Sequence, residues 1–312
     1  MPRFATIDVG TNSVLLLVAD RTADGRFQPV VEHAEITRLG RGVDASGVLS
    51  PEGMEETLTV LARFAEEARA LGVEGLAVTA TSAARDARNG ADFLTQAQTR
   101  AGVNVEIITG EHEAQLSYAA VFADVRAEVA GRSLIVIDIG GGSTEFIYGG
   151  QGAAVNKVSY RRSFDVGSVR LTERFVREDP ISPETQARIA DFLRQTFSEL
   201  PDAPEDALVV GVAGTVTTLF TVENGIEPYD PARVEGGVLP LASLTTLRTR
   251  LCGLSLAERR NLIGLQPKRA DVIGTGALIL EAALERLHAD SCRVSDRGVR
   301  WGLLAERWGL PS

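Results

Sequence analysis

The chain contains Asp8-Val-Gly-Thr-Asn-Ser13 near its N-terminus and Asp138-Ile-Gly-Gly-Gly-Ser143 near its middle. Each segment follows a short apolar run, residues 4–7 and residues 134–137, and is succeeded by a second β-rich run. This order predicts a strand, a tight turn and another strand in each copy. That is a β-hairpin, not the strand-turn-helix unit of dinucleotide-binding proteins. The repeat indicates two related halves.

Each turn combines a carboxylate with groups that can bind an anion. Asp8 and Asp138 stand where a strand meets its turn, and a carboxylate there can hold a hard cation. The glycines let the backbone adopt φ > 0 and approach a ligand, while successive N–H groups and hydroxyls form an anion-binding concavity. We therefore expect the two turns to face each other and bind an oligophosphate with its Mg²⁺ or Mn²⁺. Aspartates that only complete the hydrogen bonds of their own turns are the alternative.

The candidate residues at these turns form two groups. Asp8 and Asp138 are predicted metal ligands, and Glu145 is a third because it lies close to Asp138. Thr144 and Glu145 alternate along a strand, so one of them faces the ligand side. The predicted phosphate-binding residues of the two turns are Gly10, Thr11, Asn12, Ser13, Gly141, Gly142, Ser143 and Thr144.

A third small-residue segment, Gly211-Val-Ala-Gly214-Thr215, lies between an apolar strand at 208–212 and a predicted helix. Gly214 and Thr215 either allow close packing of helix on strand or bind an anion at the helix N-terminus. A P-loop is excluded, because neither lysine of the chain follows a glycine.

Composition limits the possible functions. The chain has 312 residues and 44% hydrophobic content, enough for two domains. A net charge of -10 and only 5% aromatic residues argue against a nucleic-acid partner. The negative net charge also means that a phosphate-binding site must rely on a metal and on local cations. With neither an apolar stretch of membrane-spanning length nor a signal-peptide pattern, we expect a soluble, cytoplasmic protein with no membrane partner. Cys252 and Cys292 are expected to be core thiols.

The pattern of apolar residues predicts alternating strands and helices, and thus an α/β fold. Helices are expected at 51–70, after Ser50-Pro51, at 86–101 and at 299–308. A domain boundary near residues 126–132 divides the chain into an N-terminal domain, 1–126, and a C-terminal domain, 127–312.

The assembled motifs resemble the exopolyphosphatase/guanosine pentaphosphate phosphatase family, within the superfamily of acetate kinase, sugar kinases, Hsp70 and actin. The similarity runs nearly from end to end. It includes the Glu113 segment, which by itself is explained by helix capping, and the Arg85 segment, which by itself is explained by a solvated helix face. The matching segments are Asp8 to Ser13, Arg38-Leu-Gly-Arg-Gly42, Thr81-Ser-Ala-Ala-Arg85 through Asn89, Gly110-Glu-His-Glu113-Ala, Asp138 to Glu145 and Lys268-Arg-Ala-Asp271.

The resemblance implies two ribonuclease-H-like, actin-like domains with a cleft between them. It implies that Glu113 is the catalytic carboxylate that orients or deprotonates the attacking water. By the same comparison, Asp8, Asp138 and Glu145 position Mg²⁺, and Arg85 contacts phosphate. Longer relatives add helical domains, so a chain ending at Ser312 resembles a two-domain form.

These expectations describe an exopolyphosphatase that releases phosphate from short-chain inorganic polyphosphate. The alternatives are hydrolysis of guanosine pentaphosphate at the same site, an ATP-dependent kinase and a nucleotide-switched module like actin or Hsp70. The Glu113 segment favours water as the acceptor. A homodimer is among the expected partners, because superfamily hydrolases often pair.

Overall fold

A computed structural model describes residues 1–129, 131–150 and 157–309 and contains two mixed β-sheets with helices packed on them. The strands are β1 Arg3–Val9, β2 Ser13–Arg21, β3 Phe27–Ile36, β4 Gly75–Ala80, β5 Val105–Ile107, β6 Leu134–Ile139, β7 Thr144–Gly149, β8 Val158–Phe164, β9 Leu208–Val212, β10 Val238–Pro240 and β11 Ser291–Val294. The helices are α1 Val43–Ser46, α2 Pro51–Ala70, α3 Ser82–Asp86, α4 Gly90–Ala101, α5 Gly110–Val125, α6 Ser168–Phe175, α7 Pro183–Phe197, α8 Ala213–Asn224, α9 Pro231–Val234, α10 Leu241–Gly253, α11 Leu256–Arg259, α12 Ile273–Arg286 and α13 Val299–Trp308.

The two sheets repeat one topology. The first has the order β3-β2-β1-β4-β5, with an antiparallel hairpin of β1 and β2 and with β4 parallel to β1. The second has the order β8-β7-β6-β9-β11, extended by β10, with an antiparallel hairpin of β6 and β7 and with β9 parallel to β6. Both predicted hairpins and the predicted α/β class are confirmed.

Helix α2 begins and ends where its local sequence predicts. The Ser50 hydroxyl accepts a hydrogen bond of 3.1 Å from the Gly53 N–H, and Pro51 occupies the first helical position. This cap satisfies an N–H that would otherwise lack an acceptor. The apolar face of the helix contributes Leu58, Leu61 and Phe64 to the core of the first sheet.

The helix predicted at 86–101 begins later in the structure, because Asp86 is the last residue of α3 and α4 starts at Gly90. The Asn89 side chain occupies the break, where it accepts from the Leu49 N–H at 2.8 Å and donates to the Leu49 carbonyl at 3.0 Å. A Cβ on Gly90 would lie 2.4 Å from the Ala84 carbonyl oxygen, so the two short helices meet closely. The break therefore results from a long-range contact.

The described residues form two compact units, one made of residues 1–120 with 299–309 and the other lying within residues 121–298. The final helix α13 belongs to the first unit, although it lies within the range 127–312 of the predicted C-terminal domain. Its packing explains this placement: Trp308 stacks on Phe4 with ring centroids 4.8 Å apart, and Gly302 lies against the Leu116 carbonyl. The predicted boundary region 126–132 includes residue 130, which lies outside the described residues.

The structure also bears on the expectations for the two cysteines and for membrane-spanning segments. Cys252 and Cys292 are both buried and unpaired, which confirms them as core thiols. None of the helices in the described ranges is both long enough and apolar enough to cross a bilayer.

Candidate active site

The two aspartate-glycine turns have the same backbone structure. The Gly10 N–H donates to the Ser13 carbonyl at 2.9 Å, and the Gly140 N–H donates to the Ser143 carbonyl at 3.0 Å. Each hydrogen bond closes a two-residue loop, Thr11-Asn12 in the first unit and Gly141-Gly142 in the second. The sequence repeat is thus a repeat of three-dimensional structure.

The glycines of these turns do not adopt the backbone conformation that the sequence analysis predicted. Within the described residues, neither Gly10 nor any glycine from Gly140 to Gly142 has a positive φ. A Cβ on Gly10 would lie 3.2 Å from the Ser13 carbonyl oxygen, and one on Gly140 would lie 3.2 Å from the Ser143 carbonyl oxygen, so both positions are tight for a side chain. A Cβ on Gly167 would lie 2.3 Å from the Gly141 carbonyl oxygen, so this part of the second turn approaches a neighbouring backbone very closely.

The carbonyls of both loops are bonded within their own unit. The Thr11 carbonyl accepts from the Gly40 N–H at 2.8 Å, and the Gly141 carbonyl accepts from the Val169 N–H at 2.9 Å. In the described parts of the chain no acceptor is recorded for the loop N–H groups, which are those of Thr11, Asn12, Gly141 and Gly142. Successive N–H groups of this kind form an anion-binding concavity.

The first turn also contains a buried amide. The Asn12 Nδ2 atom is inaccessible to solvent and has no hydrogen-bond acceptor among the residues that the structure describes. A buried amide donor without an acceptor costs about 1–3 kcal/mol, so native proteins rarely retain one without a function. A phosphate oxygen is a suitable acceptor for this group.

Asp8 and Glu113 lie on one face of the first sheet. Asp8 is opposite Thr79 in the parallel β1–β4 register, and Ala77, two residues earlier on that face, packs against a cluster that includes Leu116 of α5 and Leu303 of α13. Helices α5 and α13 therefore both lie on the face to which Asp8 points, and Glu113 is in the first turn of α5. Asp8 and Glu113 are only 9% and 8% exposed.

Arg85 lies beside Glu113. Its Nη1 atom donates to the Ile108 carbonyl at 3.0 Å and is 3.5 Å from Glu113 Oε2. The guanidinium and the N-terminus of α5 both create positive potential at the carboxylate. The fold thus brings together the Arg85 segment and the Glu113 segment, neither of which indicates a functional site by itself.

Asp138 and Glu145 face each other across the second hairpin as partners in the β6–β7 register. Asp138 is 5% exposed and Glu145 is fully buried, and Glu145 Oε1 accepts from the Ser163 hydroxyl at 2.6 Å. Thr144 points to the opposite face, where its hydroxyl donates to the Val166 carbonyl at 2.6 Å. The structure therefore places the Glu145 side chain with Asp138 and the Thr144 hydroxyl in the core.

The segment around Gly214 begins helix α8 directly, without a separate turn. Ala213 has a φ of 68°, which is uncommon for a residue with a side chain. The Arg269 guanidinium lies on Gly214, where a Cβ would be 2.3 Å from Nη1. Burial lowers the pKa of Arg269 to about 10, so it remains a cation at neutral pH. A cation and a helix N-terminus thus occur together.

The predicted metal ligands Asp8, Asp138 and Glu145 suit an ion such as Mg²⁺, which does not need a site built from protein ligands alone. Within residues 1–129, 131–150 and 157–309, no three His, Cys, Asp or Glu residues are close enough to hold a metal by themselves. Mg²⁺ is commonly bound by one or two carboxylates together with waters and substrate phosphates. Asp138 and Glu145, directly opposed on an antiparallel pair, would also repel each other less with a cation present.

Arg269 and Ser163 are not among the site residues predicted from the sequence. Arg269 stands within the quoted Lys268–Asp271 segment, but nothing local indicates that it reaches Gly214. Ser163 lies on a strand that was not predicted. The alternation of residues on β7 offered a partial signal, because a strand paired with β7 would bring a side chain next to Glu145.

Comparisons with known proteins agree with this architecture. A family model described as the Ppx/GppA phosphatase family matches residues 17–309. Exopolyphosphatase 2 of Mycobacterium tuberculosis is 35% identical over 97% of this chain and 98% of its own length. The crystal structure of an exopolyphosphatase-like protein has a TM-score of 0.92 at 30% identity, covering 98% of each chain.

A Ppx/GppA family member from Aquifex aeolicus has a TM-score of 0.81 at 34% identity, covering 98% of this chain and 97% of its own. Both structural likenesses extend over nearly the whole chain. They confirm the predicted α/β fold with two actin-like domains.

Proposed function

Because the chain belongs to the Ppx/GppA phosphatase family, we propose that it is an exopolyphosphatase that hydrolyses terminal phosphoanhydride bonds of short-chain inorganic polyphosphate. The similarity to exopolyphosphatase 2 of Mycobacterium tuberculosis supports this substrate. The observation that carries the proposal is the position of Glu113, a buried carboxylate on the same sheet face as Asp8.

Glu113 is proposed to act on the attacking water. Phosphoryl transfer needs a nucleophile in line with the leaving group and positive groups around the phosphate oxygens, with little covalent chemistry by the protein. The Glu113 carboxylate accepts a proton from water or orients it, and general-base action of this kind contributes about 10²- to 10⁴-fold. Arg85 holds Glu113 in place and offers its remaining N–H groups to phosphate.

The loop N–H groups and the Asn12 amide are proposed to bind the phosphate oxygens. These donors are fixed in place before substrate arrives, since the carbonyls of both loops are already bonded. Preorganised donors of this type stabilise charge that develops in the transition state. Gly214, Thr215 and Arg269 add a helix N-terminus and a cation for a further phosphate group.

We propose that Asp8, Asp138 and Glu145 hold Mg²⁺ or Mn²⁺. When bound, the metal would offset negative charge on the phosphate oxygens and orient the phosphoanhydride. Such a metal also explains how a chain with a net charge of -10 binds a polyanion. We further propose that the protein acts in the cytoplasm and that a homodimer is its assembly.

A phosphate-release assay tests this function. Purified protein is incubated with tripolyphosphate, long-chain polyphosphate, guanosine pentaphosphate or ATP, each with and without Mg²⁺. We expect metal-dependent release from polyphosphate, and we expect Asp8→Asn and Asp138→Asn each to abolish it. Faster release from guanosine pentaphosphate would instead favour that substrate, which carries the same type of terminal bond. ATP turnover that requires an added acceptor would contradict hydrolysis.

A further inference from the structure

Arg161 lies on the edge strand β8, on the face of the second sheet that carries Asp138 and Glu145. The β7–β8 register places Ser163 opposite Glu145 and Arg161 opposite Ile147. Side chains alternate along a strand with a period of two, so Ser163 and Arg161 project from the same face as Glu145. Arg161 is therefore one step of about 7 Å along the strand from the Ser163 hydroxyl that contacts Glu145.

The Arg161 guanidinium is exposed and available to a ligand. Among the residues that the structure describes, it has no recorded hydrogen bond, ion pair or ring contact. Its neighbour Arg162 projects from the other face, pairs with Glu199 and lies 4.8 Å from the centroid of the Phe164 ring. The two adjacent arginines thus differ in face and in bonding, although both are exposed on one strand.

We infer that Arg161 is a binding subsite for a phosphate group of polyphosphate beyond those held at the Asp138 turn. This inference rests on the proposed function, since it concerns how the same site binds a longer chain. Guanidinium groups bind phosphate oxygens with two parallel hydrogen bonds, and no described residue occupies the donors of the Arg161 guanidinium. Substrates that end at the turn do not reach Arg161, so the residue favours longer chains.

The test compares Arg161→Gln with the matched control Arg162→Gln on tripolyphosphate and on long-chain polyphosphate. We expect Arg161→Gln to raise KM for long-chain polyphosphate roughly two- to fivefold, the effect of one exposed ion pair. KM for tripolyphosphate and kcat for both substrates should stay unchanged. The difference should shrink at high salt, because salt screens exposed charges. Arg162→Gln should leave all of these values at the wild-type level.

Failure of the inference and failure of the proposed function give different results. Wild-type protein that releases no phosphate from any polyphosphate contradicts the function. If the wild-type protein releases phosphate from polyphosphate but Arg161→Gln changes KM equally for both chain lengths, or changes neither, only the role of Arg161 is overturned. A titration of long-chain polyphosphate, followed by protein fluorescence, tests Arg161 without turnover. Equal Kd values for wild type and Arg161→Gln would overturn the inference there as well.

Discussion

Replacing Gly214 by alanine should separate substrate binding from stability. The new Cβ would lie 2.3 Å from Arg269 Nη1, 2.4 Å from Nη2 and 2.6 Å from Cζ. Ordinary contact begins near 3.4 Å, so the guanidinium must move by at least 3.4 − 2.3 = 1.1 Å. The guanidinium ends a flexible side chain and can move without disturbing the core. Gly214→Ala should therefore fold normally but lose the cation at the N-terminus of α8.

Gly214→Ala should leave stability unchanged or increase it, whereas it should weaken substrate binding. Alanine is favoured over glycine in a helix by up to about 1 kcal/mol, so Tm should stay constant or rise by about 2–4 °C. Loss of one charge-assisted hydrogen bond costs about 1.5–3 kcal/mol, which corresponds to a rise in KM of roughly 10- to 150-fold. Arg269→Gln should raise KM in the same direction.

Calorimetry and phosphate-release kinetics measure these two effects. The control is Gly253→Ala at the end of α10, where a new Cβ meets nothing within 4 Å. That variant should change neither KM nor, by more than a few degrees, Tm. A wild-type KM in Gly214→Ala, or a marked fall in its Tm, would refute the reasoning about Arg269.

Three further predictions concern stability and reactivity. Gly302→Ala should lower Tm, because its Cβ would lie 2.1 Å from the Leu116 carbonyl oxygen and overpacking costs about 1–3 kcal/mol; an unchanged Tm would argue against this contact. Burial raises the pKa of the Asp124 carboxyl in the folded protein, whereas its pKa in the unfolded chain is about 3.9. The free energy of unfolding should therefore fall as pH rises from about 3.9 through the raised value, because ionisation is easier in the unfolded chain. Urea unfolding across that range should show a smaller fall for Asp124→Asn, and equal falls would contradict the assignment. Burial raises the pKa of Cys252 to about 11, so the folded protein should resist a thiol reagent at about pH 8, and labelling at the unfolded rate would disprove this.

Elements with local signals were predictable from the sequence. The two hairpins follow from apolar runs joined by a short polar turn, and α2 follows from Ser50-Pro51 at its start. Helix α13 was predicted at 299–308 and occupies the same residues. Strand β3 was not predicted, because Phe27–Ile36 is an edge strand with Pro29 and four exposed or half-exposed polar positions in place of a regular apolar alternation. The polar edge strand β8 was missed for the same reason.

Parts of the site that depend on long-range contacts could not be predicted. The break before α4 depends on Asn89 reaching Leu49, and the cation at Gly214 depends on Arg269, which ends the short 3₁₀ helix Pro267–Arg269. The choice between Thr144 and Glu145 was left open, because alternation along one strand does not say which face is buried. The hairpin register places Glu145, not Thr144, on the same face as Asp138.

The most direct measurement compares Glu113→Gln with wild type in both polyphosphate binding and phosphate release. Glutamine keeps the shape of the side chain but removes the base, so Kd for polyphosphate should stay within about twofold while turnover falls by about 10²- to 10⁴-fold. Turnover close to the wild-type rate in a folded Glu113→Gln protein would contradict the account that this carboxylate acts on the attacking water.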